Sequence, residues 1–280
     1  MHASCRRRRE WRAIRPDTGR LVVRNTFFAT LAGTLLMPSA FGAEPGVEQS
    51  SVGTMTVHDF AAKWMMQHDD IADVAVYAEA NARLLAAGGA RPRIVLMGDS
   101  LTYHWAEDAL PALPDVQFVN RGIAGQNSSQ MLLRFEDDVI GLAPAAVVIL
   151  AGTNDLRVYA GDPGAAGPAI LARIRRNVTA MTDIAAAHRV KVIVGALPPI
   201  LPRLEGHRRD PQVLAAANAW LREFARQRGY AHADFNSVLA DERGYLREPL
   251  TTDGLHLDPS AYRLLRPVLA AALREAGLAR

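Results

Sequence analysis

The chain has 280 residues, 49% of them apolar and 22% charged, with a formal net charge of +3. Those fractions exclude a disordered or low-complexity chain, and the length admits one sizeable domain or two small ones. Its one cysteine, Cys5, excludes an intrachain disulfide framework.

The first 43 residues differ from the rest. Arg6 to Arg9, Arg12, Arg15, Arg20 and Arg24 precede "NTFFATLAGTLLMPSAFGA", an apolar run ending in small residues. A basic head, a short apolar stretch and a small-residue exit predict a secretory signal peptide over 1–43, cleaved near Gly42 or Ala43. Pro38 interrupts the run, which is short for a membrane span. An uncleaved anchor is the alternative, and a true start near Val22 or Val23 would shorten the basic head. This segment holds 8 of the 32 basic and 2 of the 29 acidic residues, so the remainder is net acidic by three. Nucleic-acid binding thereby loses its main support. Cys5 leaves with the same segment, and no thiol nucleophile or lipid-attachment cysteine remains. The expectation is a secreted or periplasmic protein with no stable membrane insertion after cleavage.

Residues 44–56 are expected to form a flexible leader, and 57–280 a single domain opening with a helix. Phe60, Trp64, Ile71, Val74, Tyr77, Leu84 and Leu85 have the spacing of one apolar helix face over 57–87. Short apolar runs then alternate with amphipathic segments. The runs are Ile94–Met97, Val116–Val119, Ala146–Ala151, Val190–Leu197 and, more weakly, Tyr230–Phe235. Helices are predicted over 126–140, 168–187, 211–228 and 259–277. Near-continuous apolar strands alternating with helices predict a parallel sheet covered on both faces.

In such sheets, ligands sit outside the carboxyl ends of the strands. The loop after the first strand holds Gly98-Asp99-Ser100, and the second is followed by "NRGIAGQNSSQ". After the third comes "GTNDL", and the connection after the last contains "DGLH". One such loop is ordinary turn chemistry; four on one edge make a site.

A serine nucleophile needs a base, a group to orient that base, and donors for an oxyanion. His58, His68 and His188 fall on predicted helices away from the strand ends, and His207 and His232 suit surface or packing roles. His104 follows Ser100 by one turn, with no evident acid to orient it. His256 has Asp253 three residues earlier, which can hold one ring nitrogen and leave the other for the serine proton. The competing reading of Asp253 is a turn before the helix that Pro259 helps start. Gly125 can bring its N–H close because no Cβ intervenes, or it is a cap; Asn154 offers an amide donor, or it is a turn residue. Asp99 suits a structural turn. No His/Asp/Glu cluster has ligand spacing on one element, so no metal or other cofactor is expected.

"GDSLT", the Gly125 loop, "GTND" and "DGLH" resemble, in order, the four blocks of the SGNH (GDSL-type) hydrolases. The similarity runs from about Ile94 to the last helix. It implies a flavodoxin-like three-layer α/β/α sandwich with a five-stranded parallel sheet in the order 2-1-3-4-5. It also implies Ser100 as nucleophile, His256 as base, Asp253 as its partner, and Ser100, Gly125 and Asn154 as oxyanion donors. "NRGIAGQNSSQMLLRF" and "LAGTNDL" look like secreted bacterial members acting on small or carbohydrate-linked esters. "KWMMQHDD" resembles the segment before the serine in the acetylhydrolases of platelet-activating factor. The ordinary α/β-hydrolase is a poor match, since G-x-S-x-G is missing.

Substrate signals are thinner. Trp105 suits either the floor of a sugar site or the core. Arg203, His207, Arg208 and Arg209 rim the pocket or form a solvated loop. The expected activity is that of an esterase removing short acyl groups, acetyl included, from a small-molecule or carbohydrate-like alcohol. Lysophospholipase or thioesterase activity is the alternative. A carbohydrate-binding protein on a degenerate hydrolase fold would lack a catalytic residue, and none is missing. The sequence gives no sign of oligomeric state.

Overall fold

Three strands, "RIVLMG", "AVVIL" and "KVIVG", carry β-branched and aliphatic side chains on both faces, as a doubly covered parallel sheet requires. They are β1 (Arg93–Gly98), β3 (Ala146–Leu150) and β4 (Lys191–Gly195); β2 (Gln117–Gly122) and β5 (Ala231–Ala233) complete the sheet. The computed structural model describes residues 69–159, 161–201 and 208–279. All pairings are parallel and the order is β2-β1-β3-β4-β5. The flavodoxin-like order implied by the resemblance is therefore the one found.

The contacts divide the chain into two units, Met1–Phe60 and Ala61–Arg280, and all five strands belong to the second. The expected signal peptide, the leader, the stretch 57–68 of the first helix, Arg203 and His207 lie outside the described residues. Among the described residues, no helix is long and apolar enough to cross a membrane.

The flanking helices are α1 (Ala75–Ala87), α2 (Ser100–Tyr103), α3 (Ser128–Leu133), α4 (Phe135–Asp138), α5 (Pro163–Ala187), α6 (Pro211–Arg228) and α7 (Pro259–Glu275). Asp162, Asp210 and Asp258 each cap a helix that begins with proline, satisfying a free N–H where proline has none to lose. Helix α5 starts five residues before its predicted bound because Pro168 is tolerated inside it.

Two predicted helices are interrupted. The expected continuous helix through 57–87 is broken at Asp70, whose carboxylate accepts from the N–H groups of Val74 and Ala75, both at 2.9 Å. The apolar face assigned to this region is not one face: Ile71 and Leu85 are exposed. Helix α1 instead buries Asn81, which donates to Asp138 and accepts from Arg121. The segment predicted as 126–140 divides at Arg134, whose buried guanidinium spans from Gln126 to Asp138.

Register brings the strand ends level. Gly98 pairs with Gly122 on one side and Leu150 on the other, so the loops after β1, β2 and β3 leave the sheet side by side. Gly122 is required by close packing: a Cβ there would lie 2.1 Å from the Tyr103 backbone nitrogen. The short helix α2 therefore sits directly on the end of β2.

Candidate active site

Ser100 is the first residue of α2, immediately beyond the apolar run of β1. Asp99 caps that helix, its carboxylate accepting the Leu101 N–H at 2.9 Å. The turn is further held by Tyr262 of α7, whose hydroxyl donates to the Leu101 carbonyl. Asp99 is thus the structural turn residue expected from sequence.

Burial pushes the Asp99 carboxyl up to about 6, against the Leu101 N–H, which works the other way. The fold therefore binds a proton here more tightly than the unfolded chain does. Stability contributed at this position is greatest below the ordinary carboxylate value of 3.8 and falls as pH rises toward 6. Asp99→Asn keeps an oxygen for the cap and has no charge to bury. Its stability relative to the parent should rise by about 2 kcal/mol between pH 4 and pH 7. Urea unfolding across that range tests this; parallel stability curves would refute it.

The loop Thr251–His256 is shaped by one carboxylate. Asp253 Oδ1 accepts the N–H groups of Leu255 and His256 at 2.9 and 2.8 Å, which closes the turn. Its Oδ2 is then free to meet His256 Nδ1 at 2.6 Å. The other ring nitrogen, Nε2, lies 3.0 Å from Ser100 Oγ. Leu201, in the loop after β4, donates its N–H to the Gly254 carbonyl at 2.9 Å and fixes the turn from outside. Desolvation pushes the Asp253 carboxyl up, but hydrogen bonds from the His256 ring and from the two N–H groups outweigh it, and the net direction is down. An ionised carboxylate thus faces Nδ1 of the His256 ring.

The loops after β2 and β3 meet beside this line. Gly125 has φ of +84°, a conformation glycine adopts without strain. A Cβ there would touch no protein atom, so within the chain itself it is the backbone turn that calls for glycine. Asn154 Nδ2 donates to the carbonyl of Gln126 at 3.1 Å, which sets the two loops against each other. That bond uses one of two amide protons; the second remains for a ligand. Asp155 joins the same loops, accepting Ser128 N–H and Oγ–H, each at 2.7 Å.

A serine hydroxyl, an oriented imidazole and neighbouring N–H donors are the parts of acyl transfer. The chain matches the GDSL-like lipase/acylhydrolase family over residues 82–264. It belongs to that family.

This GDSL-type ester hydrolase also resembles solved structures. A GDSL-like lipase from Bacteroides thetaiotaomicron is 29% identical, with a TM-score of 0.61, over 73% of this chain and 98% of that one. A lipase/acylhydrolase from Enterococcus faecalis, 21% identical with a TM-score of 0.55, covers 66% of this chain and 96% of its own. An acetyl xylan esterase, 18% identical with a TM-score of 0.53, covers 65% of this chain and 99% of its own. The last two likenesses are of fold alone. No curated protein matches the chain significantly.

The serine of the GDSL motif therefore stands in one hydrogen-bonded line with His256 and Asp253 of the DGLH turn. Trp105, left open by sequence, is core: it is 3% exposed and packs edge-on against Phe235 at 5.3 Å between ring centroids. His104 stands edge-on to His256, ring centroids 5.9 Å apart, beside a hollow of 330 Å³ that His256 also lines. Of the arginines expected at the rim, Arg208 is exposed and pairs through its backbone with Val158. Arg209 turns inward, 5% exposed, to the Asn154 loop. Sequence reading missed Arg157, Arg134 and the Gln126 side chain, because each acts through contacts that apolar spacing and motif matching do not register. Among the described residues, no group of three or more His, Cys, Asp or Glu side chains is placed to hold a metal ion.

Proposed function

We propose that the protein is a serine esterase that works through an acyl-enzyme, with Ser100 as nucleophile, His256 as general base and Asp253 as its orienting partner. The observation that carries this reading is the continuous line Asp253 Oδ2–His256 Nδ1 and His256 Nε2–Ser100 Oγ, at 2.6 and 3.0 Å. Ser100 Oγ attacks the ester carbonyl as its proton passes to Nε2. The imidazolium so formed is held by Asp253. The negative oxygen of the tetrahedral intermediate is received by the N–H groups of Ser100 and Gly125 and by Asn154 Nδ2. Collapse breaks the ester C–O bond, and Nε2 returns its proton to the departing alcohol. Water then takes the alcohol's place, loses a proton to Nε2 and releases the acid and Ser100.

The substrate class is a short acyl ester, acetyl included, of a carbohydrate-like alcohol. The leaving alcohol collects its proton from His256, and the hollow on that side carries His104, Asp108 and Arg263 together with the apolar Ala109 and Leu257. Mixed polar and apolar walls suit a hydroxylated ring better than a lipid tail. The acetyl xylan esterase of similar fold is in keeping with this choice. The arginine-rich head and the small-residue exit of residues 1–43 support export to the periplasm or beyond.

Aryl esters of increasing acyl length, assayed beside acetylated sugars and a lysophospholipid, test the class. We expect kcat/KM to be highest for acetyl or propionyl and to fall steeply with length. An apolar channel would gain up to about 0.8 kcal/mol per methylene and show the opposite trend. Activity that rises through eight or more carbons would replace this reading with a lysophospholipase or thioesterase.

A further inference from the structure

Asn154 does not hold its side chain in place by itself. Its Oδ1 accepts from two guanidinium groups, Arg157 Nη2 at 2.7 Å and Arg209 Nη2 at 3.1 Å. Arg209 is fixed in turn by its Nε, which donates to the Thr153 carbonyl at 3.1 Å. Neither arginine forms a salt bridge with a carboxylate among the described residues, and Nη1 of Arg209 is buried without a hydrogen-bond partner. Two like charges therefore converge on one neutral oxygen. Burial and the neighbouring Arg157 push the Arg209 guanidinium down to about 10, which leaves it charged at neutral pH. Asp99 and Asp253 act on Arg209 from beyond salt-bridge distance, so two cations stand side by side with no carboxylate paired to either, and an apolar filler would cost the fold less.

We infer that Arg209 and Arg157 are positioning residues for the oxyanion hole: together they lock the Asn154 amide so that Nδ2 faces the reacting carbonyl, and they polarise it as a donor. An amide has nearly the same shape after a half-turn about its last bond, so packing alone does not choose between its two ends. Here both ends choose. After a half-turn, the amide group would face two cations and its oxygen would face the Gln126 carbonyl, which now accepts from Nδ2. Cations on Oδ1 also favour the resonance form with a positive nitrogen, which strengthens the N–H as a donor to developing negative charge. Two positive charges behind the amide add an attraction that grows as the oxyanion forms, where water is excluded. The sequence places these arginines 52 residues apart, and the backbone bridge between Val158 and Arg208 brings them together.

This inference rests on the reading of Asn154 as an oxyanion donor, and a mutant cycle separates the two. With an aryl acetate, Asn154→Ala should lower kcat by about 10²–10³-fold. Arg209→Met should lower kcat by about tenfold or more with KM nearly unchanged, because the effect is made in the transition state. In the Asn154→Ala background, Arg209→Met should change kcat by less than about twofold. An equal loss in both backgrounds would overturn the inference and leave the oxyanion reading standing, as would a change confined to KM. An unchanged kcat for Asn154→Ala would overturn both. If thermal melting shows that Arg209→Met does not fold, Arg157→Gln takes its place in the cycle. Arg157 is more exposed and its removal leaves the core intact, so the same loss of effect in the Asn154→Ala background is expected, with partial return of kcat in Arg157→Lys.

Discussion

Replacing Ser100 with alanine is expected to lower kcat by at least about 10⁴-fold while leaving the fold intact. The serine hydroxyl meets the His256 ring at 3.0 Å and takes no part in the helix, so its removal leaves the backbone geometry of α2 untouched. That helix is held by Asp99 at its cap and by Tyr262 on the Leu101 carbonyl, and both remain. The same variant should resist a fluorophosphonate, which in the parent forms a P–O bond at Ser100 Oγ and expels fluoride. Titration of label against active enzyme, followed by peptide mapping, reads this directly. A parent protein that hydrolyses esters yet takes no label would remove Ser100 as nucleophile. Label on another residue would have the same consequence.

The largest effect on stability is expected at Arg134. Its side chain and that of Asp138 are both 0% exposed, and they pair at 2.8 Å. Its Nε donates to Gln126 Oε1 at 2.6 Å and its Nη2 to the Gly98 carbonyl at 3.1 Å. One buried cation thus ties the strand that ends at the serine to the loop that carries Gly125. Arg134→Met leaves Asp138 in the core with Asn81 as its remaining hydrogen-bond donor, and should cost about 3–5 kcal/mol. Activity of the remaining folded fraction should fall as well, since Gln126 Oε1 loses its donor and only the bonds from Nε2 to Ala72 and Asp73 hold the side chain. Removing both charges, as Arg134→Met with Asp138→Leu, should recover much of the stability because no buried charge is then left unpaired. Urea midpoints of the two variants decide this. A double variant no more stable than the single one would show that the pair holds the fold by shape and not by charge.

Arg134 also marks where sequence reading reached its limit. The helix predicted over 126–140 rests on apolar spacing, and that spacing is present in Met131, Phe135 and Val139, all buried. The helix divides all the same, because its central arginine is required by Gln126 and Gly98, which lie off its own face. The same reason explains α1. Its spacing predicts an apolar stripe, yet the buried position is Asn81, recruited by Arg121 and Asp138 from two other elements. Periodicity registers what a helix does for its own burial and is blind to polar partners brought in by the chain's return.

The sequence by itself determined the sheet, its edge and the candidate reacting groups. Runs such as "IVLM" and "AVVIL" have no polar face to expose, so they must become strands covered on both sides, and whatever follows them gathers at one edge. Asp253 and His256 were legible as a pair because three residues of a tight turn suffice to join them. Tertiary structure alone decided which side chains support those groups. Trp105 is core because Phe235 and Tyr262, more than a hundred residues later, close over it. The backbone angle of Gly125, with φ of +84°, is one that glycine adopts without strain. Arg209 reaches Asn154 across 55 positions of sequence, through a backbone bridge that no local pattern encodes. The candidate nucleophile, the candidate base and the turn are set by neighbours in the chain; their alignment is set by charges and carbonyls that only folding brings within about 3 Å of one another.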